Sequence, residues 1–458
     1  GLHLLRSRRV SVAGKVCRPI DLSPFFASLP FSLTGAQRRA IDDIARDLSA
    51  ARPMNRLIQG DVGSGKTMVA AAAIYMAAKN GLQCALMAPT EILAEQHYRS
   101  LAPLLGPLGI PCALLTASTK AKERRALNEA LRTGALSLVI GTHALLSPDV
   151  QYQNLGLVVT DEQHRFGVDQ RAALSAKGEN PHLLVMSATP IPRTLALVIY
   201  GDLDVSVLNE LPPGRQKIDT FAVPSSYHER IYAFLRRLVA EGRQAYIVCP
   251  MVAENDELPD ERKAVTAYAE MLQKDVFPDL RIAPIHGKMK PKEKDAVMRA
   301  FAAHELDVLV STTVIEVGVD VPNAALMLIE NAECFGLSQL HQLRGRVGRG
   351  QHKSYCVLVS DNKGEENRAR LRVMSSTSDG FVIAEEDLKL RGPGDFFGSR
   401  QHGLPSLRAA DLSCDLALLH ETQQAANALL AADPDLSAHP LLKARVECLF
   451  EKSADAMN

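Results

Sequence analysis

The sequence predicts an α/β fold, with two tandem parallel-sheet domains followed by a mainly helical region. Three observations carry this prediction. From Phe31 to Ser360, short apolar runs rich in β-formers alternate with helical stretches, the order expected when helices cover both faces of a parallel sheet. A glycine-rich octet, Gly60-Asp61-Val62-Gly63-Ser64-Gly65-Lys66-Thr67, stands between the run Arg56-Leu57-Ile58 and the alanine-rich stretch from Met68 to Lys79. At 458 residues the chain is too long for one core, and about three domains of about 150 residues are expected.

Residues 1–30 are basic at the start, carry Pro19, Pro24 and Pro30, and show no sustained period, which predicts a linker. The chain begins at glycine, so a region upstream is expected. Residues 31–205 form the first predicted domain, with strands at 56–59, 84–88, 137–140, 156–160 and 182–186. Gly201, Pro212, Pro213 and Gly214 mark the segment 201–216 as a hinge. Residues 206–360 form the second domain, with strands at 245–249, 281–285, 307–311, 325–329 and 354–359 and no phosphate loop of its own. Residues 361–458 are predicted to be helical, interrupted by a loop at Arg391-Gly392-Pro393-Gly394.

Hydrophobic residues make up 47% of the chain and charged residues 23%, with a formal net charge of zero. That balance suits a globular protein and gives a polyanion no overall attraction, so any nucleic-acid surface must concentrate its basic residues on one face or groove. The eight cysteines contain no Cys-x-x-Cys pair and mostly lie in apolar runs, which predicts buried free thiols and a reducing cytoplasm rather than a zinc site. No apolar run approaches the roughly 20 residues needed to cross a bilayer, and a cytoplasmic protein with no membrane partner is expected.

The octet is a phosphate loop. Gly60, Gly63 and Gly65 let backbone N–H groups curl around phosphates, Ser64 completes the turn, Lys66 reaches the β and γ oxygens, and Thr67 holds Mg²⁺. About a hundred residues later Asp161-Glu162-Gln163-His164 follows the apolar run Leu157-Val158-Val159. An Asp-Glu pair alone reads as an acidic strand-end turn. Behind a phosphate loop at this spacing, Asp161 positions Mg²⁺ while Glu162 polarises the attacking water. Ser187-Ala188-Thr189-Pro190 offers two hydroxyls after the next strand. Gln342-Leu343-Arg344-Gly345-Arg346-Val347-Gly348-Arg349 sets Arg346 and Arg349 three apart on the expected face of a helix, where two guanidiniums can neutralise charge on a γ-phosphate. A solvated basic helix is the alternative. The neighbouring glycines favour close approach to ATP across a cleft.

These motifs, with Phe31 to Gln37, Met87 to His97, Gly141 to Leu146, Arg165-Phe166-Gly167-Val168, Ser187 to Thr194 and Thr312 to Asn323, resemble in content and order those of superfamily 2 helicases. Within them the chain resembles the RecG family of branched-DNA translocases, from about Phe31 to Leu404. Transcription-repair coupling factors share Arg165 to Val168 and the Pro190-Ile191-Pro192-Arg193-Thr194 stretch. Gly201 to Ser206, Glu210 to Arg215 and Ile329-Glu330-Asn331-Ala332-Glu333 resemble RecG instead. Cys334, where the family usually has a basic residue, and Thr160, where it has an aliphatic one, depart from the pattern.

The resemblance implies two RecA-like domains with ATP between them, an ATP hydrolase and DNA helicase acting with 3′-to-5′ polarity on stalled forks and Holliday junctions, and a role in recombination and repair. It implies that Gln37 reads adenine and that Gly318 and Asp320 face ATP from the second domain. Gln342 joins the catalytic set. Thr90, Glu91, Gln96, Thr142, His143, His286, Thr312, Thr313 and Glu316 would line the DNA path or couple it to the cleft. The segment Asp379 to Gln401 resembles the translocation motif, so that Arg391, Arg400 and Gln401 push duplex DNA. Branched and duplex DNA are the implied partners, single-stranded DNA-binding protein a further one, and the chain is expected to be a monomer. The wedge domain of RecG proteins has no counterpart in this sequence, which reads as the motor without it. The DNA-translocase module of a transcription-repair coupling factor, an ATP-gated binding module and an RNA helicase are the rival readings.

Overall fold

The computed structural model describes residues 13–161, 168–187, 203–212, 217–250, 261–312, 321–350, 352–396, 416–433 and 436–446. The segment preceding the first sheet packs on it. Gly14 N donates to Ala51 O and Cys17 N to Leu48 O, each at 2.8 Å. The helix α1 (Ser23–Ser28) buries Phe25, whose ring lies 5.6 Å from that of Tyr75. Residues 13–30 therefore belong to the first domain and are no linker. Cys17, Ile20, Leu22, Phe25 and Phe26 join the same apolar core as the alanine-rich helix that follows the phosphate loop.

Helix α2 (Gly35–Leu48) begins at a capping box in which Thr34 and Gln37 satisfy each other's backbone, and it buries Ala36, Ala40, Ile41, Ile44 and Leu48 at helical spacing. The first sheet contains β1 (Asn55–Gly60), β2 (Gln83–Met87), β3 (Cys112–Leu115), β4 (Leu138–Gly141), β5 (Leu155–Thr160), β6 (His182–Ser187) and β7 (Asp204–Leu208). Their order is β3-β4-β2-β5-β6-β1-β7, parallel throughout. Helices α3 (Lys66–Lys79), α4 (Glu91–Leu105), α5 (Ala121–Arg132) and α6 (Val168–Ser175) join them.

Strand β7 corrects the first part of the hinge expected over 201–216, of which 201–202 and 213–216 lie outside the described residues. Asp204 to Leu208 pair with Arg56 to Gly60, and Leu208 is buried, so the first sheet extends past residue 205. Proline and glycine at 212–214 signal a break, but the apolar pair Val205 and Val207 is enough to add an edge strand before it.

The second sheet contains β8 (Ile218–Val223), β9 (Gln244–Val248), β10 (Ile282–Ile285), β11 (Val308–Ser311), β12 (Ala324–Ile329) and β13 (Ser354–Val359), again parallel, in the order β10-β11-β9-β12-β13-β8. One face packs on α7 (His228–Ala240) and α8 (Glu261–Met271) through Ile231, Leu235, Val265 and Ala269. The other carries α9 (Pro291–Ala302), α10 (Leu337–Arg344), α11 (Glu365–Ser376) and α12 (Gly380–Phe396) through Phe301, Leu340, Leu371 and Ile383. Glu330, just past β12, is buried and accepts from His228 Nε2 at 3.0 Å and Tyr268 Oη at 2.9 Å, tying the start of α7 to the last turn of α8. Helix α13 (Leu416–Ala432) follows.

The loop expected at Arg391-Gly392-Pro393-Gly394 is helical backbone within α12. Ile383, Ala384 and Leu388 anchor the start of that helix, and extending an existing helix costs far less than nucleating one, so glycine and proline near its end are tolerated. Cys17, Cys84 and Cys356 are buried and Cys334 is exposed. Burial pushes the Cys356 thiol up to about 12, which makes it inert.

Candidate nucleotide cleft and motor site

The phosphate loop follows β1 and its shape depends on its glycines. Gly63 and Gly65 hold φ of 76° and 80°, the left-handed region that L side chains rarely adopt. A Cβ on Gly60 would lie 2.5 Å from Ser64 Oγ and 2.9 Å from Leu208 Cβ, so β7 walls the loop on its outer side. Gly65 is the N-cap of α3 and gives no side-chain cap, which leaves the first N–H groups of a 14-residue helix to an anion. Lys66 is buried, with Nζ donating to Gly60 O and Asp61 O at 2.8 Å each. Thr67 follows in the first turn and is partly exposed. Ser64 Oγ is buried without a hydrogen-bond partner among the described residues.

Gln37 reaches this loop. Its Nε2 donates to Ser64 O at 2.9 Å while Oε1 accepts from Thr34 N at 2.8 Å, so the amide ties the start of α2 to the phosphate loop.

Strands β5, β6 and β1 are neighbours and parallel, so Asp161, just past β5, opens on the same sheet edge as the phosphate loop. Asp161 N donates to Met87 O at 3.0 Å, and its Oδ2 lies 2.7 Å from His97 Nε2. His97 is buried on α4. Sequence reasoning missed it, although its place beside Leu93, Ala94 and Leu101 on the apolar face was a signal, since a histidine there needs a polar partner. One hydroxyl and one carboxylate, Thr67 and Asp161, suit Mg²⁺, which keeps several waters and takes phosphate oxygens. Among the described residues no group of three or more His, Cys, Asp or Glu forms a cage. Glu162, Gly318, Asp320, Thr313, Glu316, Arg400 and Gln401 lie outside the described residues.

From the second domain, α10 points its C-terminal end at the phosphate loop. The helix ends at Arg344, so Arg346 and Arg349 sit in the turn beyond it and share no helical face. Gly345 is the C-cap of the helix, and Gly348 adopts φ of 75° in the turn beyond it. Arg346 is buried, and Arg349 Nε donates to Gly345 O at 3.1 Å. The close approach expected of these glycines is to the loop itself. A Cβ on Gly345 would lie 2.9 Å from Val62 Cβ. Gln342 is partly exposed beside them. Two further residues of this helix, neither expected, make the contact specific. His341 Nε2 lies 2.6 Å from Asp61 Oδ1, and Arg344 Nη2 donates to His341 Nδ1 at 2.9 Å. Arg344 also donates to Met374 O and Thr377 O, and burial pulls its pKa below the ordinary arginine value.

The residues expected along a DNA path fall into several environments. Thr90 caps α4 by accepting from Leu93 N, and Glu91 accepts from Ser118 N and Oγ. Gln96 is partly exposed and His143 exposed. Thr142 is buried, its Oγ1 without a hydrogen-bond partner among the described residues. In the second domain His286 and Thr312 are buried at the ends of β10 and β11. Arg391 lies on the α12 backbone. A second bridge between domains joins Arg299 Nη2 on α9 to Glu95 Oε1 on α4 at 2.7 Å.

Comparisons with known proteins match this layout piece by piece. Residues 34–198 match the DEAD/DEAH box helicase family, residues 229–351 the helicase conserved C-terminal domain, and residues 377–447 the family described as ATP-dependent DNA helicase RecG, domain 3, C-terminal. The chain is 53% identical over 431 residues to the ATP-dependent DNA helicase RecG of Synechocystis sp., covering 94% of this chain and 52% of that protein. The chain belongs to the RecG family. The RecG of Bacillus subtilis is 52% identical over 414 residues, 90% of this chain and 60% of its own length, so the chain spans about half the length of the curated relatives it matches. A structure of RecG bound to a three-way DNA junction superposes with a TM-score of 0.77 at 48% identity, over 91% of this chain and 54% of that one. Mss116p bound to single-stranded RNA and AMP-PNP shares the fold, with a TM-score of 0.58 at 18% identity over 81% of this chain and 80% of that one. Membership of the RecG family fits the two parallel sheets and nucleotide use. Among the described residues no helix is long and apolar enough to cross a membrane.

Proposed function

We propose that this chain is the ATP-driven motor of a branched-DNA helicase and translocase, hydrolysing ATP in the cleft between its two sheets to move duplex DNA. The observation that carries the reading is the seating of the arginine turn, through Gly345, against Val62 of the phosphate loop. Lys66 binds the β and γ oxygens, Thr67 and Asp161 hold Mg²⁺, and Glu162 activates water. Arg346 and Arg349 neutralise charge developing on the γ-phosphate, with Gln342 beside them. Gln37, Gly318 and Asp320 complete the nucleotide site. Thr90, Glu91, Gln96, Thr142, His143, His286, Thr312 and Thr313 line the DNA path, and Arg391, Arg400 and Gln401 push the duplex. Domain limits near 13–208 and 217–360 with a translocation region after them fit this division. The likeness to a RecG bound to a three-way DNA junction, at 48% identity, supports branched DNA as substrate; the same reading takes 3′-to-5′ polarity and a cytoplasmic, nucleoid-associated monomer working alongside single-stranded DNA-binding protein as its further parts.

The test is the steady-state ATPase rate with no DNA, linear duplex, forked DNA and duplex RNA. Forked DNA giving the strongest stimulation supports the reading. A rate indifferent to any DNA would mean an ATP-gated binding module, and preference for RNA would mean an RNA helicase.

A further inference from the structure

The bond between Asp61 and His341 joins residues 280 positions apart and crosses the cleft. Its chemistry is fixed by its neighbours. A guanidinium only donates, so His341 Nδ1 accepts from Arg344, and the ring hydrogen of this neutral imidazole sits on Nε2, which donates to the Asp61 carboxylate. His341 and Arg344 are both buried, and Arg344 is itself fixed by the carbonyls of Met374 and Thr377. The ring is thus held from behind and presented to the phosphate loop.

Asp61 occupies an awkward place for a carboxylate. It belongs to a loop whose N–H groups collect around phosphate oxygens, and an anion there repels a triphosphate unless it is turned aside. Its Oδ1 takes the Val62 N–H at 2.6 Å as well as His341, while its carbonyl shares Lys66 Nζ with Gly60. The orientation of one residue therefore governs the carboxylate, an N–H of the loop and the hold on the phosphate-binding lysine.

We propose that His341 is a positioning residue for nucleotide binding, which turns the Asp61 carboxylate away from the phosphates and so couples the loop's readiness for ATP to the seating of the second domain. This deepens the reading of the cleft as an ATP site and rests on it. Arg346 and Arg349 would act on the γ-phosphate; His341 acts on the loop.

The test is a double-mutant cycle on the affinity of the whole chain for a fluorescent β,γ-imido analogue of ATP. His341→Ala should weaken binding by roughly tenfold, the scale of a hydrogen bond to a charged group. Asp61→Asn placed in the His341→Ala background should recover most of that loss, because it removes the charge that His341 manages. His341→Gln, whose amide can both donate to Asp61 and accept from Arg344, should bind within about threefold of wild type on the same scale. Independent, multiplying penalties for the two substitutions would overturn the proposal, as would His341→Gln binding as weakly as His341→Ala. A general packing defect would not be rescued by Asp61→Asn. Lys66→Ala separates the two levels. Failure of the wild-type chain to bind the analogue sinks the ATP reading itself, whereas loss only in Lys66→Ala, with His341→Ala intact, sinks the role of His341 alone.

Discussion

The two sheets place their strands alike, and the difference between them lies at one corresponding position. Read along the order, β1 in the first sheet matches β8 in the second, each the first strand of its series in the chain and each beside the last strand of the common set, β6 or β13. β1 has β7 on its other side and is buried from Arg56 to Gly60, whereas β8 is an edge strand with Phe221 exposed. After β1 comes the glycine loop and α3, ten of whose residues are buried; after β8 come Pro224 and the amphipathic α7, with three buried. A phosphate site needs more than the fold. It requires glycine at strained positions, an uncapped helix start and a strand such as β7 to wall the loop. The second domain spends the same corner on nothing of the kind and brings Arg346, Arg349 and His341 from α10 and the turn beyond it.

The sharpest way to break this contrast is at Lys66. Lys66→Ala should reduce ATP turnover to background in a phosphate-release assay, and near-normal turnover would place the nucleotide elsewhere. Next comes the contribution of the second domain. Arg346→Ala should lower kcat by roughly a thousandfold with little change in nucleotide affinity, in the manner of an arginine finger. A loss confined to affinity would reduce the second domain to a lid.

Smaller effects test the local geometry. Gly60→Ala forces a methyl against Ser64 and Leu208, and should cost about 1–3 kcal/mol in denaturant unfolding by overpacking; full stability would mean that β7 does not wall the loop. His97→Ala deprives Asp161 of its partner on α4 and should raise the Mg²⁺ concentration needed for tight nucleotide binding; an unchanged requirement would show that Asp161 is oriented without it. The smallest effect is expected at the partly exposed bridge between α4 and α9. Arg299→Ala should change stability by less than about 1 kcal/mol, and a larger loss would make that seam a principal contact between the domains.

The strands flanking both motif sets were legible because buried parallel strands are continuous apolar runs, as Leu157-Val158-Val159 and Leu326-Met327-Leu328 show. β3 and β8 were not, because at sheet edges their burial is patchy, β3 is only four residues long and the apolar run of β8 is broken by Asp219 and Thr220. Residues 13–30 escaped for a related reason, since their apolar residues match the surface they cover rather than a period of their own. The helix over Arg391 to Phe396 went against local propensity because its start is anchored.

The site divides along the same line. The places of Gly60 to Thr67 after β1 and of Asp161 after β5 were legible in the sequence, because a phosphate loop is built from contiguous backbone and a strand-end carboxylate is announced by the apolar run before it. His97 beside Asp161, Gln37 on Ser64, Gly345 against Val62 and His341 on Asp61 were decided by tertiary structure. Each is a pairing between distant segments, and a hydrogen bond of this kind is short-ranged and directional, so only the folded chain specifies which donor meets which acceptor.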